Sequence, residues 1–96
     1  MTARVSVIMP VYNEVKTVGE IIARVRAALS GHPWELIVVD DGSTDGTRDV
    51  LKKLAAEGPD EVQVVSHEVN AGKGAAIRTG LGRARGEIIL IQDADL

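Results

Sequence analysis

The chain has no cysteine. That excludes a disulfide framework and thiolate metal sites, and it is compatible with the cytosol. Aromatic residues are almost as scarce, with Tyr12 and Trp34 the only two. A core must therefore be built from Val, Ile, Leu and Ala, which suits a sheet covered by helices. There is no basic surplus. The formal net charge is −3, whereas nucleic-acid binding wants a basic face, so nucleic acid is not an expected partner. No apolar run approaches the ~20 residues needed to span a bilayer. Met1-Thr2-Ala3-Arg4 does not open on the long apolar segment of a signal peptide.

What is present is 96 residues with a 45% apolar share, enough for one small domain or part of a larger one. The acids are unevenly placed. Glu14, Asp40, Asp41, Asp45, Asp93 and Asp95 all fall at or just after expected strand ends. Setting those six aside leaves 8 acids against 11 bases. The negative charge is concentrated where loops should converge, which suggests a cation site or a ligand delivered with a cation.

The organising stretch is Leu36-Ile37-Val38-Val39-Asp40-Asp41-Gly42-Ser43-Thr44-Asp45. Its apolar run is too short for a helix and suits a strand buried on both faces. Two adjacent carboxylates repel each other, so stability alone gives no reason to place them at the strand's end. Around it, Val5–Met9 reads as a first strand ended by Pro10, and about Val15–Leu29 as a helix with Asn13 as N-cap. Trp34–Val39 is the second strand. A second helix begins within Ser43–Thr47 and runs to about Glu57, stopped by Gly58-Pro59. Val62–Val65 is a third strand, Asn70–Gly74 a glycine loop, about Ala75–Ala84 a third helix and Ile88–Ile91 a fourth strand.

The order βαβαβαβ predicts an α/β fold, a parallel doubly wound Rossmann-like sheet with strand order 3-2-1-4. Ligands bind such sheets outside the strands' carboxyl ends, where the order reverses. The Pro10–Glu14 loop, Asp41 and Asp93-Ala94-Asp95 would then meet over one crevice. An open fourth strand also invites pairing with a second copy, so a homo-oligomer through that sheet edge is an expected partner.

In Asp93-Ala94-Asp95 the two carboxylates stand at i and i+2, on one side of an extended segment. They can address one hard cation, Mg²⁺ or Mn²⁺, or form an acidic turn. Tyr12 can stack on a nucleobase or cover the end of the first helix. Glu14 can accept ribose hydroxyls or serve as a first-turn acid. Gly72-Lys73-Gly74 opens the third helix, and can approach phosphate or be a turn with a solvated lysine. Neither the Walker loop nor the dinucleotide glycine fingerprint is present. His32 and His67 read as structural or surface residues. Ser43 and Thr44 read as helix-capping residues.

Together these pieces resemble family 2 glycosyltransferases of the GT-A fold. The resemblance rests on Val7-Ile8-Met9-Pro10-Val11-Tyr12-Asn13-Glu14, on 38–47 (VVDDGSTDGT), on Asn70-Ala71-Gly72-Lys73-Gly74 and on Asp93-Ala94-Asp95-Leu96. Within the family the chain is most similar to the dolichyl- or polyprenyl-phosphate mannosyltransferase and glucosyltransferase branch. The resemblance implies that residues 1–96 are the N-terminal nucleotide-sugar-binding part of a GT-A domain, with the acceptor-binding half beyond them. It implies an inverting transfer from a GDP- or UDP-linked sugar to an acceptor such as polyprenyl phosphate. The place of action would be the cytoplasm or the cytoplasmic face of a membrane. It implies that Pro10, Tyr12 and Glu14 contact base and ribose, and that Val39 and Asp41 face the base. Asp93 and Asp95 would hold Mg²⁺ or Mn²⁺, Ala94 would pass its backbone close to the sugar nucleotide, Asp40 would shape the turn, and Gly72 and Lys73 would reach phosphate. No catalytic residue is assigned within the chain, and residues 1–96 alone are expected to have negligible transferase activity. The alternative is a truncated, non-catalytic nucleotide- or metal-binding module.

Overall fold

The computed structural model describes residues 4–58 and 60–94. Among these residues seven elements follow one another: β1 (Val5–Val11), α1 (Val18–Ala28), β2 (Trp34–Asp41), α2 (Thr47–Glu57), β3 (Val62–His67), α3 (Lys73–Arg83) and β4 (Ile88–Ile91). All ladders are parallel, in the order β3-β2-β1-β4, as the alternation of elements predicts.

That order fixes where the helices go. Two successive crossovers from β1 through β2 to β3 step the same way, so α1 and α2 share one face. The crossover from β3 back to β4 steps the other way, which puts α3 on the opposite face. The packing agrees. Val7, Met9, Val11, Leu36 and Val38 meet Val18, Ile21, Ile22 and Val25 of α1 and Leu51 of α2. On the other face Ile37 and Val39 meet Ala76 of α3. Small residues let α3 lie close: a Cβ on Gly80 would stand 2.5 Å from Ile8 Cγ2. Among the described residues β4 has β1 as its one strand neighbour, and its four apolar residues remain exposed.

Three strands run past their expected ends. β1 continues through Pro10 to Val11, in register with Val39 and Asp40. Pro10 is tolerated because β4 has already ended. The Ile8 carbonyl accepts Gln92 N–H on the β4 side, and alternation turns Pro10 to that same side, beyond the last ladder bond. β2 carries Asp40 and Asp41 inside the sheet, both buried, rather than in a turn. β3 runs to His67, in register with Asp41. Helix α1 starts at Val18 rather than about Val15, and its N-cap position is Thr17 without a side-chain cap. Asn13 has φ 53° and does other work.

Candidate functional site

Successive strand residues face opposite ways, and this resolves the repulsion between Asp40 and Asp41. Asp40 points to the α2 side. Its Oδ1 accepts Ser43 N–H at 3.1 Å, and its Oδ2 accepts from Arg48 Nε at 3.1 Å. Arg48 also donates to the His67 carbonyl at 2.7 Å. Asp40 thus shapes the turn, as expected, and is ion-paired besides. Asp41 points to the α3 side.

There Asp41 takes four donors. His67 Nδ1 (2.8 Å) and Ala71 N–H (2.9 Å) reach Oδ1; Asn70 Nδ2 (3.1 Å) and Gly72 N–H (2.8 Å) reach Oδ2. The other nitrogen of His67 lies 2.8 Å from Thr79 Oγ1 on α3. Burial pushes the Asp41 carboxyl up, but the His67 bond, the Ala71 and Gly72 N–H groups and the His67 charge outweigh it and hold the pKa below its ordinary value. Asp41 therefore ties the loop before α3 to the end of β2. A nucleobase N–H arriving at Asp41 would share an oxygen that already accepts two bonds.

The first two loops are clasped to each other. Asn13 N–H donates to Ser43 Oγ (2.9 Å), and Asn13 Oδ1 accepts Thr44 N–H (2.7 Å). Glu14 N–H donates to the buried Thr47 Oγ1 (3.1 Å), and Val15 N–H to Asp45 Oδ2 (3.3 Å). The side chain of Ser43 thus binds the first loop instead of capping α2, whose N-cap position is Gly46. Asn is the non-glycine residue that best tolerates the left-handed φ this clasp needs. Bonds from Thr47 hold the Asp45 carboxyl below its ordinary value against the opposing effect of burial, with help from Val15 N–H.

Above the β1 and β4 ends these loops enclose a cleft of about 390 Å³. Pro10, Tyr12 and Glu14 form one wall, Asp93 and Ala94 another, and Asp41, Lys73 and Ala76 a third. Tyr12 is exposed and free to present its ring. Ala94 is held down by its carbonyl, which accepts from Thr17 Oγ1 at 2.8 Å; that hydroxyl also lies 3.3 Å from Glu14 Oε2. At the rim Lys73 Nζ stands 2.7 Å from Asp93 Oδ1. Of the residues expected at the site, Val39 is not on the wall. It is fully buried against Ala76, beneath the floor. Gly72 contributes through its N–H on Asp41. Asp95 lies outside the described residues. Sequence reasoning read His67 as a structural or surface residue without finding its partner Asp41, and it missed Thr47 and the Asn13 clasp.

Gly42 makes the turn between β2 and the clasp. Its φ is 77°, and a Cβ there would stand 2.5 Å from Asn70 N and 2.8 Å from Val69 C, both backbone atoms. Gly42→Ala is expected to destabilise the fold by at least about 2 kcal/mol, from left-handed strain plus that collision. Thermal denaturation measures it, and an unchanged melting temperature would contradict the packing described.

The fold is a Rossmann-like GT-A unit with its cleft at the carboxyl end of the sheet. The chain belongs to glycosyl transferase family 2, whose profile matches residues 6–96. It is 40% identical over 93 residues to a dodecaprenyl-phosphate galacturonate synthase of Rhizobium johnstonii, covering 95% of this chain and 28% of that protein. Among solved structures it resembles the mannosyltransferase PcManGT from Pyrobaculum calidifontis in complex with GDP-Man and Mn²⁺. That match has a TM-score of 0.86 and 36% identity, and covers 99% of this chain and 28% of that one. It also resembles S. aureus TarS in complex with UDP, with a TM-score of 0.80 and 33% identity, covering 99% of this chain and 28% of that one. The chain spans a little over a quarter of the length of the relatives it matches.

Proposed function

We propose that the chain forms the nucleotide-sugar-binding part of a glycosyltransferase that moves a sugar from a nucleoside diphosphate to polyprenyl phosphate. The observation that carries this reading is the cleft at the carboxyl end of the sheet. It joins an exposed aromatic and a half-buried carboxylate from the first crossover, a lysine from the third and an aspartate from the segment after β4. Tyr12 offers a flat face to the base, and Glu14 a carboxylate to ribose hydroxyls. Lys73 offers a positive charge to a diphosphate, and Asp93 a carboxylate to its cation. The relative's name supports the polyprenyl-phosphate acceptor. Because that acceptor is a lipid, the reaction belongs at a membrane surface, on its cytoplasmic side. No helix among the described residues is long and apolar enough to cross a membrane.

The residues fit a divalent cation. The exposed Asp93 carboxylate already accepts a positive charge, the Lys73 ammonium. Among the described residues no group of three His, Asp or Glu side chains converges. Mg²⁺ and Mn²⁺ bind through one or two carboxylates and complete their shell with phosphate and water. Asp93, with Asp95, would hold the ion, and it would supply Lewis-acid neutralisation of the departing diphosphate. Polyprenyl phosphate is already an anion, so the acceptor oxygen needs less help from a general base than an alcohol would.

Calorimetric titration with GDP and UDP, each with Mn²⁺ and with EDTA, tests the reading. One nucleotide should bind in a metal-dependent way. Asp93→Ala should weaken that binding at least about ten-fold, or ~1.4 kcal/mol. A folded chain that binds neither nucleotide would overturn it.

A further inference from the structure

Lys73 and Asp93 come from different elements, the first residue of α3 and the segment after β4, and both line the cleft. Their pairing at 2.7 Å is made in the open, with side chains 61% and 62% exposed. An ion pair that exposed contributes little, because water screens it. A pair that weak is readily exchanged. The position is also telling. The carboxylate that Lys73 occupies is the one on which the proposed function places the divalent cation, so the two cations cannot both have it at full strength.

We infer that Lys73 is an exchangeable placeholder cation. It neutralises Asp93 until the divalent cation arrives with the nucleotide, and then transfers to the incoming diphosphate. The inference rests on the donor-site reading and adds a coupling to it. Lys73 opposes binding of the bare metal ion and favours binding of the metal–nucleotide pair. By linkage the nucleotide then tightens the metal more than its own phosphate ligands would, because it draws the competing ammonium off Asp93. Discrimination follows: the free ion is disfavoured and the ion carried by a diphosphate is accepted.

The test measures binding and needs no turnover. The Mn²⁺ dissociation constant is read by electron paramagnetic resonance on the chain without nucleotide, in wild type, Lys73→Met and Lys73→Arg. GDP or UDP binding with saturating Mn²⁺ is read by calorimetry on the same three. Lys73 is exposed, and circular dichroism verifies that each variant is folded. Lys73→Met should tighten bare Mn²⁺ by about two- to five-fold, the range an exposed pair spans. It should weaken the nucleotide in the presence of Mn²⁺, and Lys73→Arg should restore both constants. If wild type binds nucleotide with Mn²⁺ but Lys73→Met leaves the bare-metal constant unchanged or weaker, the placeholder is overturned and the donor site stands. If wild type binds no nucleotide under any condition, both fall.

Discussion

Asp41→Ala is expected to cost about 2–4 kcal/mol of stability, a large part of the ~5–15 kcal/mol that holds a domain together. The reason is accounting of donors. The wild-type carboxylate is buried and takes His67, Asn70 and two consecutive backbone N–H groups. Removing it strands those donors together. Water can reach Asn70 and Ala71, which are exposed, but His67 is only partly accessible. That access sets the upper end of the range. Asp41→Asn should be no rescue, because its NH₂ must face donors that one oxygen accepts now. The loss should centre on the loop before α3. Urea unfolding gives the magnitude. Hydrogen exchange at Ala71 and Gly72 gives the location, and both amides should lose protection before β1 and β2 do. A variant with wild-type stability and intact protection there would show that the loop is held by something other than Asp41. Because Lys73 opens the helix that this loop leads into, the same variant should also loosen the rim of the cleft.

The sequence made the layer order legible because alternation of elements leaves few topologies once crossovers are right-handed. It also made most of the cleft legible, because Pro10, Tyr12, Glu14, Asp41, Asp93 and Ala94 fall at or just past the carboxyl ends of recognisable strands and Lys73 opens a recognisable helix. Strand ends were harder. Pro10, Asp40, Asp41, Ser66 and His67 have low local preference for a sheet, and they are extended because a neighbour offers a register partner. His67 illustrates the consequence. It stands 26 residues from Asp41 and looks isolated, yet once β3 is drawn to its true end the two are register partners. The Asn13 clasp was hidden for a related reason. Ser, Thr, Asp and Asn near a helix start read as caps, and nothing local says that their partners lie about thirty residues away on another loop.

Acid should unfold the chain from the end of the sheet opposite the cleft as well as from Asp41. Glu35 is buried on β2, and its Oε2 accepts from Ser6 Oγ at 2.5 Å and from Arg85 N–H at 2.6 Å. Ser6 Oγ in turn accepts Gly86 N–H at 2.7 Å. One carboxylate thus anchors the turn that brings β4 alongside β1. Burial pushes the Glu35 carboxyl up, but the Ser6 bond, the Arg85 N–H, the Arg4 charge and the Gly86 N–H outweigh it. Its folded pKa therefore lies below the ordinary 4.5. The sign follows: the stability it contributes is present in full above about pH 4.5 and is lost as pH falls through the lower folded value. Asp41 behaves the same way below its ordinary 3.8. Glu35→Ala leaves the Ser6 hydroxyl without its acceptor and Arg85 N–H unpaired, at an expected cost of about 2–4 kcal/mol near neutral pH. Glu35→Gln keeps an oxygen for both donors and should cost less, while removing this titration. Urea unfolding from pH 7 to pH 3 separates the two effects. Wild type should lose stability steeply below pH 4.5, and Glu35→Gln should show a shallower fall whose remainder belongs to Asp41 and Asp45. Equal slopes in the two proteins would mean that Glu35 binds its proton alike in the folded and unfolded chains, and that the buried anchor contributes no acid sensitivity.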